Sequence, residues 1–423
     1  MESLATVVAR AAGALPAWRR LPAPRRAETL IRVGELLRDR KSTLAEIITA
    51  EIGKPPAEAG GEVQEAIDMA YYMAGEGRRS FGQTVPSELP DKWAMSIREP
   101  VGVVAAITAW NFPIAVPSWK ILPALVLGNT VVWKPSERAE RCAAAFAQVF
   151  TEAGVPPGVL TIVTGDGRVG ETLVRQPAVS LVSFTGSREN GRHVAIACAE
   201  LGKRCALELG GKNAVIVLDD ADLELAVDGI VWSAFGTSGQ RCTSCSRVIV
   251  HKGIRAALTE ALVERVKSLE IDQGAAERCE KFIREAVAAG ARRLTLGATL
   301  LDNVTPRMRI AQEELFGPVC VIIEVGSLAE AIAVNNDVPY GLSSSIYTRD
   351  VNQAFAAMRE LSSGIVYINA GTTGSEVQLP FGGVRGSGNG WREAGQAALD
   401  TFSEWKTIYV DYSGRLQRAQ IDR

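Results

Sequence analysis

Histidine is almost missing from this 423-residue chain, which holds only His193 and His251. Metal sites built on imidazole, and Cys-His or Ser-His-Asp catalysis, therefore have almost nothing to draw on. Net charge is missing too. A formal balance of −2 gives no electrostatic reason to expect nucleic acid or an anionic membrane as partner. No apolar run approaches the roughly twenty residues that cross a bilayer. Cysteine is present in an odd number, seven, without the spacing of a disulfide framework. Cys142, Cys198, Cys205 and Cys320 sit among Ala, Val and similar neighbours, as small buried hydrophobes do. There is no internal repeat and no low-complexity segment. The Arg-rich stretch through Arg26 has the composition of a transit peptide. It runs straight into an amphipathic helical pattern, however, and is expected to belong to the fold of a cytoplasmic protein.

Apolar residues, at 47%, are ample for a full core, and the length suggests two lobes. Helical spacing runs from Ala27 to Arg79. After it, short β-branched runs alternate with amphipathic stretches. Strands are expected over Val101–Thr108, Thr130–Lys134, Val159–Thr164 and Val179–Thr185. Helices are expected over Pro117–Leu127, Glu137–Ala153, Arg168–Arg175 and Glu189–Leu201. That order predicts an α/β fold with a parallel, Rossmann-like sheet whose ligands lie beyond the strands' carboxyl ends. A second α/β series uses Ala214–Leu218, Val248–His251, Val319–Val325, Leu342–Thr348 and Gly364–Ile368. Lys92–Arg98 and Glu404–Tyr412 look like extended strands outside both lobes, suited to pairing with another subunit.

Unusual polar residues collect where these strands end: Trp110-Asn111-Phe112-Pro113, Lys134-Pro135-Ser136-Glu137, Phe184-Thr185-Gly186-Ser187, Glu208-Leu209-Gly210-Gly211-Lys212 and Gly239-Gln240-Arg241-Cys242-Thr243. Singly each is weak, and Gly186-x-x-x-x-Gly191 is not the dinucleotide fingerprint. Cys242 differs from the other cysteines in having Arg241 beside it and a stretch rich in Gly, Ser and Thr before it. Such surroundings suit a thiol that must become a thiolate to act as nucleophile. Cys242-x-x-Cys245 has no second pair to make a zinc site and lacks a thioredoxin-like context; no metal is expected.

In their order and spacing, together with Glu313-Glu314-Leu315-Phe316-Gly317-Pro318 and Pro380-Phe381-Gly382-Gly383, these motifs resemble the aldehyde dehydrogenase superfamily from about Leu15 to Tyr412. The resemblance implies a nucleophile at Cys242 and an oxyanion donor at Asn111, with the Cys242 backbone N–H as second donor. It implies a general base at Glu208 that directs water at a thioester. Relatives that pass the acyl group to coenzyme A typically lack that glutamate, so hydrolysis is favoured; coenzyme A acylation stays as the alternative. Lys134 and Glu137 match positions holding the adenosine ribose, and a carboxylate there favours NAD over NADP. Gly186 and Ser187 match the pyrophosphate site, while Glu314 and Phe316 match the nicotinamide end. Trp110, Gly167, Gly170, Phe184, Gly191 and Leu209 complete the implied cofactor set.

Gly-Gln-Arg-Cys-Thr, Glu62-Val63-Gln64-Glu65 and the segment from Asn369 to Glu376 look like the α-aminoadipic semialdehyde dehydrogenase (antiquitin) branch. There, positions matching Glu65 and Arg241 recognise the amino and carboxylate ends of the substrate, and those matching Thr373, Gly374 and Ser375 help hold the carboxylate. An amino-acid-derived semialdehyde is the expected substrate. The resemblance implies a cofactor domain over 1–88 and 101–209 and a catalytic domain over 210–388. A returning helix over 389–401 and oligomerisation strands over 89–100 and 402–423 would make a homodimer or homotetramer. Against the family pattern, the β-rich arm before Leu15 is missing and a loop is lost near Asp272–Gly274. The strand over Gly297–Asp302 also looks absent. These departures leave open a scaffold that binds NAD with weakened turnover.

Overall fold

A computed structural model describes residues 2–422. Four helices come first: α1 (Leu4–Arg20), α2 (Ala23–Asp39), α3 (Lys41–Ile52) and α4 (Pro56–Glu76). Helix therefore starts well before Ala27, capped by the Ser3 hydroxyl, which accepts from the Thr6 N–H. Strands β1 (Gln83–Pro86) and β2 (Lys92–Pro100) follow.

The first lobe alternates as β3 (Val103–Ile107), α5 (Ala115–Val126), β4 (Thr130–Lys134), α6 (Glu140–Glu152), β5 (Leu160–Ile162), α7 (Gly167–Val174), β6 (Val179–Thr185), α8 (Arg188–Glu200) and β7 (Arg204–Glu208). Its sheet is parallel throughout, in the order β5-β4-β3-β6-β7. Every residue of β3 and β4 is buried, which is why both are continuous apolar runs rather than alternating ones. Strand β7 was not anticipated; its Arg204 and Cys205 interrupt the apolar pattern. It is the strand that delivers Glu208.

The second lobe contains β8 (Asn213–Val217), α9 (Leu223–Phe235), β9 (Cys245–His251), α10 (Arg255–Val266), α11 (Gln273–Ala288), β10 (Arg292–Arg293), β11 (Thr299–Asp302), α12 (Arg309–Gln312), β12 (Val319–Val325), α13 (Leu328–Asn336), β13 (Ser343–Tyr347), α14 (Val351–Glu360) and β14 (Ile365–Ile368). Its sheet runs β10-β11-β12-β9-β8-β13-β14. The strand thought missing near Gly297–Asp302 is present as β11, paired in parallel with β12. All four of its residues are buried, a pattern too short to stand out in sequence.

The expected returning helix over 389–401 shrinks to α15 (Ala397–Thr401). Ahead of it Glu393 bridges to Phe381, each backbone N–H donating to the other's carbonyl. Strand β15 (Ser403–Asp411) then pairs antiparallel with β2, and β1 flanks β2 on its other side.

The chain passes from the first sheet to the second through Leu209–Lys212, and a buried arginine holds that crossing. Arg247 on β9 donates to the Lys212 carbonyl from Nε (3.0 Å) and Nη2 (2.7 Å), and to the Val334 and Asn335 carbonyls. A buried cation whose three nitrogens all donate to carbonyls is tolerable; an unmatched one is not.

In the core of the first lobe, Trp133, Phe146 and Phe150 stack edge to face, with centroids 5.9 and 5.0 Å apart. Phe146 is wholly buried. Phe146→Ala is expected to cost about 3–5 kcal/mol, read as a lower denaturant midpoint of the first lobe.

Candidate active site

A cleft of about 1080 Å³ lies beyond the carboxyl ends of β3, β4 and β6 and extends to Cys242 and Glu314 of the second lobe. It is the place a doubly wound sheet provides for a ligand, because the loops there diverge. Lys134 and Glu137 line one wall, and Gly167 and Gly170 of α7 line another. Phe184, Gly186, Ser187 and Leu209 face them. Trp110 and Phe316 meet edge to face at 6.0 Å. The Lys134 ammonium is 3.5 Å from the Glu137 carboxylate, which is exposed toward solvent.

The residues present fit a dinucleotide. Ser187 caps the thirteen-residue α8, its hydroxyl accepting from the Asn190 N–H at 3.3 Å. The helix N-terminus at Gly186 and Ser187 therefore faces the cleft with its positive end, as a pyrophosphate requires. Gly191 does not line the cleft. It lies against Leu209, whose Cδ2 would be 2.4 Å from an added Cβ, so its part is to let α8 approach that residue.

Of the three expected reacting groups, Asn111 and Cys242 line the cleft, and Glu208 lies near enough to act on the Cys242 thiol. Cys242 is partly exposed there. The Asn111 side-chain amide donates to the Gln240 carbonyl at 3.1 Å, two residues before the sulfur. Glu208 is buried at the end of β7, and its Oε2 has no hydrogen-bond partner. Gly382 explains how it fits: its φ is +147°, and an added Cβ would come 2.5 Å from Glu208 Oε1. Any side chain there would be both strained and in the way.

The electrostatics oppose ionisation. Burial pushes the Glu208 carboxyl well above the usual carboxylate range, and Glu393 pushes it further; Lys120 and Arg392 act the other way. Lys120 is buried between Glu393, with which it is ion-paired, and the Ser183 hydroxyl at 3.1 Å. Cys242 is likewise pushed up, first by burial and then by Glu208, Glu314 and Glu393, against the Thr243 N–H. Glu314 is pushed up to about 7 by burial and accepts from the Gly211 N–H at 3.1 Å.

Arg241 does not do what its place in the sequence suggested. Its guanidinium turns to Glu58, Nη2 to Oε2 2.6 Å, and stacks 4.7 Å over the Trp232 ring. The charges that act most on the thiol are carboxylates, not this arginine. Adjacent residues in an irregular turn point to different sides, and sequence alone cannot say which.

Glu65 is half-buried on α4, its carboxyl pushed up to about 8 by burial and by Glu62. Thr373 is buried with an unpartnered hydroxyl, and Gly374 has φ +108°. Ser375 shares a hydrogen bond with the Tyr367 hydroxyl at 3.2 Å. That phenol is pushed up mainly by burial and in part by Cys242, which ties the loop to the nucleophile.

Several supporting residues were not anticipated. Asn213 donates to the Cys242 carbonyl at 2.8 Å and to the Ser244 carbonyl at 2.9 Å. Lys54, Glu58, Glu62, Lys120 and Glu393 also lie around the site. Their only signal in sequence was a charge on an apolar helical face or in a glycine-rich loop.

Residues 1–408 match the family model described as the aldehyde dehydrogenase family. The chain belongs to the aldehyde dehydrogenase family. Alpha-ketoglutaric semialdehyde dehydrogenase of Bacillus subtilis (strain 168) is 40% identical over 440 aligned positions, covering 97% of this chain and 90% of that protein. Succinate-semialdehyde dehydrogenase [NADP(+)] of Escherichia coli (strain K12) is 38% identical over 423 positions, covering 94% and 87%. Betaine aldehyde dehydrogenase of Staphylococcus aureus, solved in complex with NAD+, superposes with a TM-score of 0.93 at 31% identity, covering 97% and 87%. This aldehyde dehydrogenase is thus an α/β oxidoreductase. Among its described residues no helix is long and apolar enough to cross a membrane.

A raised thiol pKa means that the nucleophilic form grows as pH rises. Alkylation of Cys242 by iodoacetamide, followed by peptide mass, is expected to accelerate with pH without levelling off near the ordinary thiol value of about 8.5. A plateau at or below that value contradicts the electrostatic picture.

Proposed function

We propose that the chain oxidises a carboxylate-bearing semialdehyde to the acid with NAD, through a covalent intermediate on Cys242. The observation that carries the reading is a dinucleotide-sized cleft lined by a thiol and a side-chain amide, Cys242 and Asn111, with the buried, unpaired Glu208 carboxyl near enough to act on that thiol.

In this reading the Cys242 sulfur adds to the aldehyde carbon once its proton has left. Asn111 keeps one amide N–H on the Gln240 carbonyl and offers the other to the developing oxyanion, alongside the Cys242 N–H. Bound nicotinamide supplies the hydride acceptor. Glu208 takes a proton from the water that attacks the resulting thioester, and the acid leaves as sulfur is expelled. A general base works best when its pKa lies near the working pH, and burial beside Glu393 moves Glu208 toward it. Glu137 at the ribose end favours NAD, since the ribose 2′-phosphate of NADP would be repelled by its carboxylate; NADP is the alternative arm of the assay.

For the substrate, relatives named for alpha-ketoglutaric and succinate semialdehydes align over nearly the whole chain, and aminoadipic semialdehyde is the member that Glu65 and Thr373–Ser375 suggest, Arg241 being engaged by Glu58. The unpartnered Thr373 hydroxyl and the Trp119 Nε1, also buried without a partner, are donors that a carboxylate would satisfy. Glu65, neutral at pH 7 when its pKa is about 8, is a third donor. The sheet of β1, β2 and β15 exposes Trp93, Trp405 and Tyr409, an apolar surface that suits assembly into dimers or tetramers.

Glu208→Gln is expected to give one rapid equivalent of NADH per site and then turn over at least ~100-fold more slowly, while Cys242→Ala gives no burst. Equal loss of burst and steady rate in Glu208→Gln would remove the assigned base. A panel of alpha-ketoglutaric, succinic and aminoadipic semialdehydes against unbranched fatty aldehydes tests the substrate class; preference for the fatty aldehydes overturns it. Product formation that depends on added coenzyme A would replace hydrolysis by acyl transfer.

A further inference from the structure

Helix α4 carries Glu58, Glu62 and Glu65 at i, i+4 and i+7, all on one face. Two of these carboxylates are spent on backbone. Glu62 Oε1 accepts from the Ile114 N–H at 2.8 Å and the Ala115 N–H at 3.2 Å, the first amides of α5. Its other oxygen pairs with the Lys54 ammonium at 2.5 Å, with both side chains wholly buried. Lys54 in turn sits 3.6 Å over the Phe112 ring. The pair therefore grips the segment Phe112–Ala115 immediately after Asn111.

One turn earlier, Glu58 reaches into the other lobe. It accepts from the Thr237 N–H at 3.2 Å and from the Thr237 hydroxyl, and it pairs with Arg241. The turn it holds is strained: Thr237 and Ser238 have φ of +48° and +53°, a region that β-branched and other non-glycine residues avoid. Three residues beyond that turn is Arg241, and then the sulfur. The two gripped segments touch where Asn111 donates to the Gln240 carbonyl.

We propose that Glu58 and Glu62 are positioning residues that set the Asn111 amide against the Cys242 sulfur, each holding one of the two loops from a common helix. Because α4 packs on α2, α3 and α5, it is a rigid reference that neither loop supplies for itself. Preorganised donors stabilise an oxyanion only when they already stand where its charge develops, so small displacement of either loop lowers the rate. Arg241 belongs to this device: its pairing with Glu58 is what anchors the nucleophile turn to α4. The proposal rests on the roles given above to Cys242 and Asn111.

The test uses the full chain with Glu58→Ala, Glu62→Ala and the double change Lys54→Met with Glu62→Ala, which removes the ammonium that Glu62→Ala leaves buried and unpaired. Rates are expressed per titrated Cys242 thiol, so that misfolded protein does not count. The expected result is a fall in kcat of ~10- to 100-fold in each, with NADH affinity, followed by its fluorescence, unchanged. Glu58→Gln, which keeps a carbonyl oxygen to accept from Thr237 and Arg241, and Glu62→Gln made together with Lys54→Met, which keeps one to accept from Ile114 without stranding the ammonium, are expected to recover most of the rate. Glu58→Ala is further expected to alter the rate of Cys242 alkylation, whereas the Glu62 changes leave it within about twofold. A kcat per thiol within about twofold of the parent in the alanine variants, or glutamine variants as slow as alanine ones, overturns the proposal. Cys242→Ala run in parallel separates the two failures: turnover without that sulfur removes the site assignment itself, whatever the glutamates do.

Discussion

A carboxyl that is buried without being paired governs the site. Glu208 leaves β7 into a space closed by Gly382, with Glu393 as a like charge and Lys120 as the nearest relief. Desolvation makes its charged form costly, and the cost is spread over neighbours that each lie on a different element. Lys120 comes from α5, Ser183 from β6, and Glu393 from the segment after the second sheet. The same carboxyls raise the Cys242 thiol. The proposed nucleophile and base are therefore coupled through one small group of carboxyls, in which placing a proton on one eases ionisation of another.

That coupling requires both lobes to hold still. Arg247 secures the crossing at Lys212, Asn213 fastens the nucleophile loop through the Cys242 and Ser244 carbonyls, and Glu58 ties the preceding turn to α4. Each of these is a charged or amide side chain bound to backbone. Such contacts are strong in a desolvated setting and specific in direction. Apolar packing alone would tolerate small sliding of one lobe on the other.

The glycines of the motifs follow from the same crowding. At Gly210 an added Cβ would sit 1.7 Å from Glu314 Oε2, and at Gly211 it would sit 2.7 Å from the Cys242 carbonyl oxygen. These positions are glycine because the base strand, the nucleophile loop and Glu314 pass through one volume. The surface against which substrate is chosen is less crowded with charge: Arg241 is already engaged by Glu58, leaving Glu65 and the hydroxyl of Thr373 as groups without a strong partner.

Alternating apolar runs and helical spacing were enough to derive both α/β lobes and the strands that lead to Asn111, Lys134 and Ser187, because period and burial are local properties of a chain. The motif order likewise identified the family and pointed to Cys242 and Glu208. Short buried strands escaped: β11 has four residues, and β7 begins with Arg204. What only tertiary structure decided was direction. Arg241 stands next to Cys242 in the chain yet points at Glu58, and Glu62 lies 52 residues before the Ile114 N–H it holds. Side-chain direction in an irregular turn, and the charge that a buried thiol feels, depend on elements far apart in sequence, which no local pattern encodes.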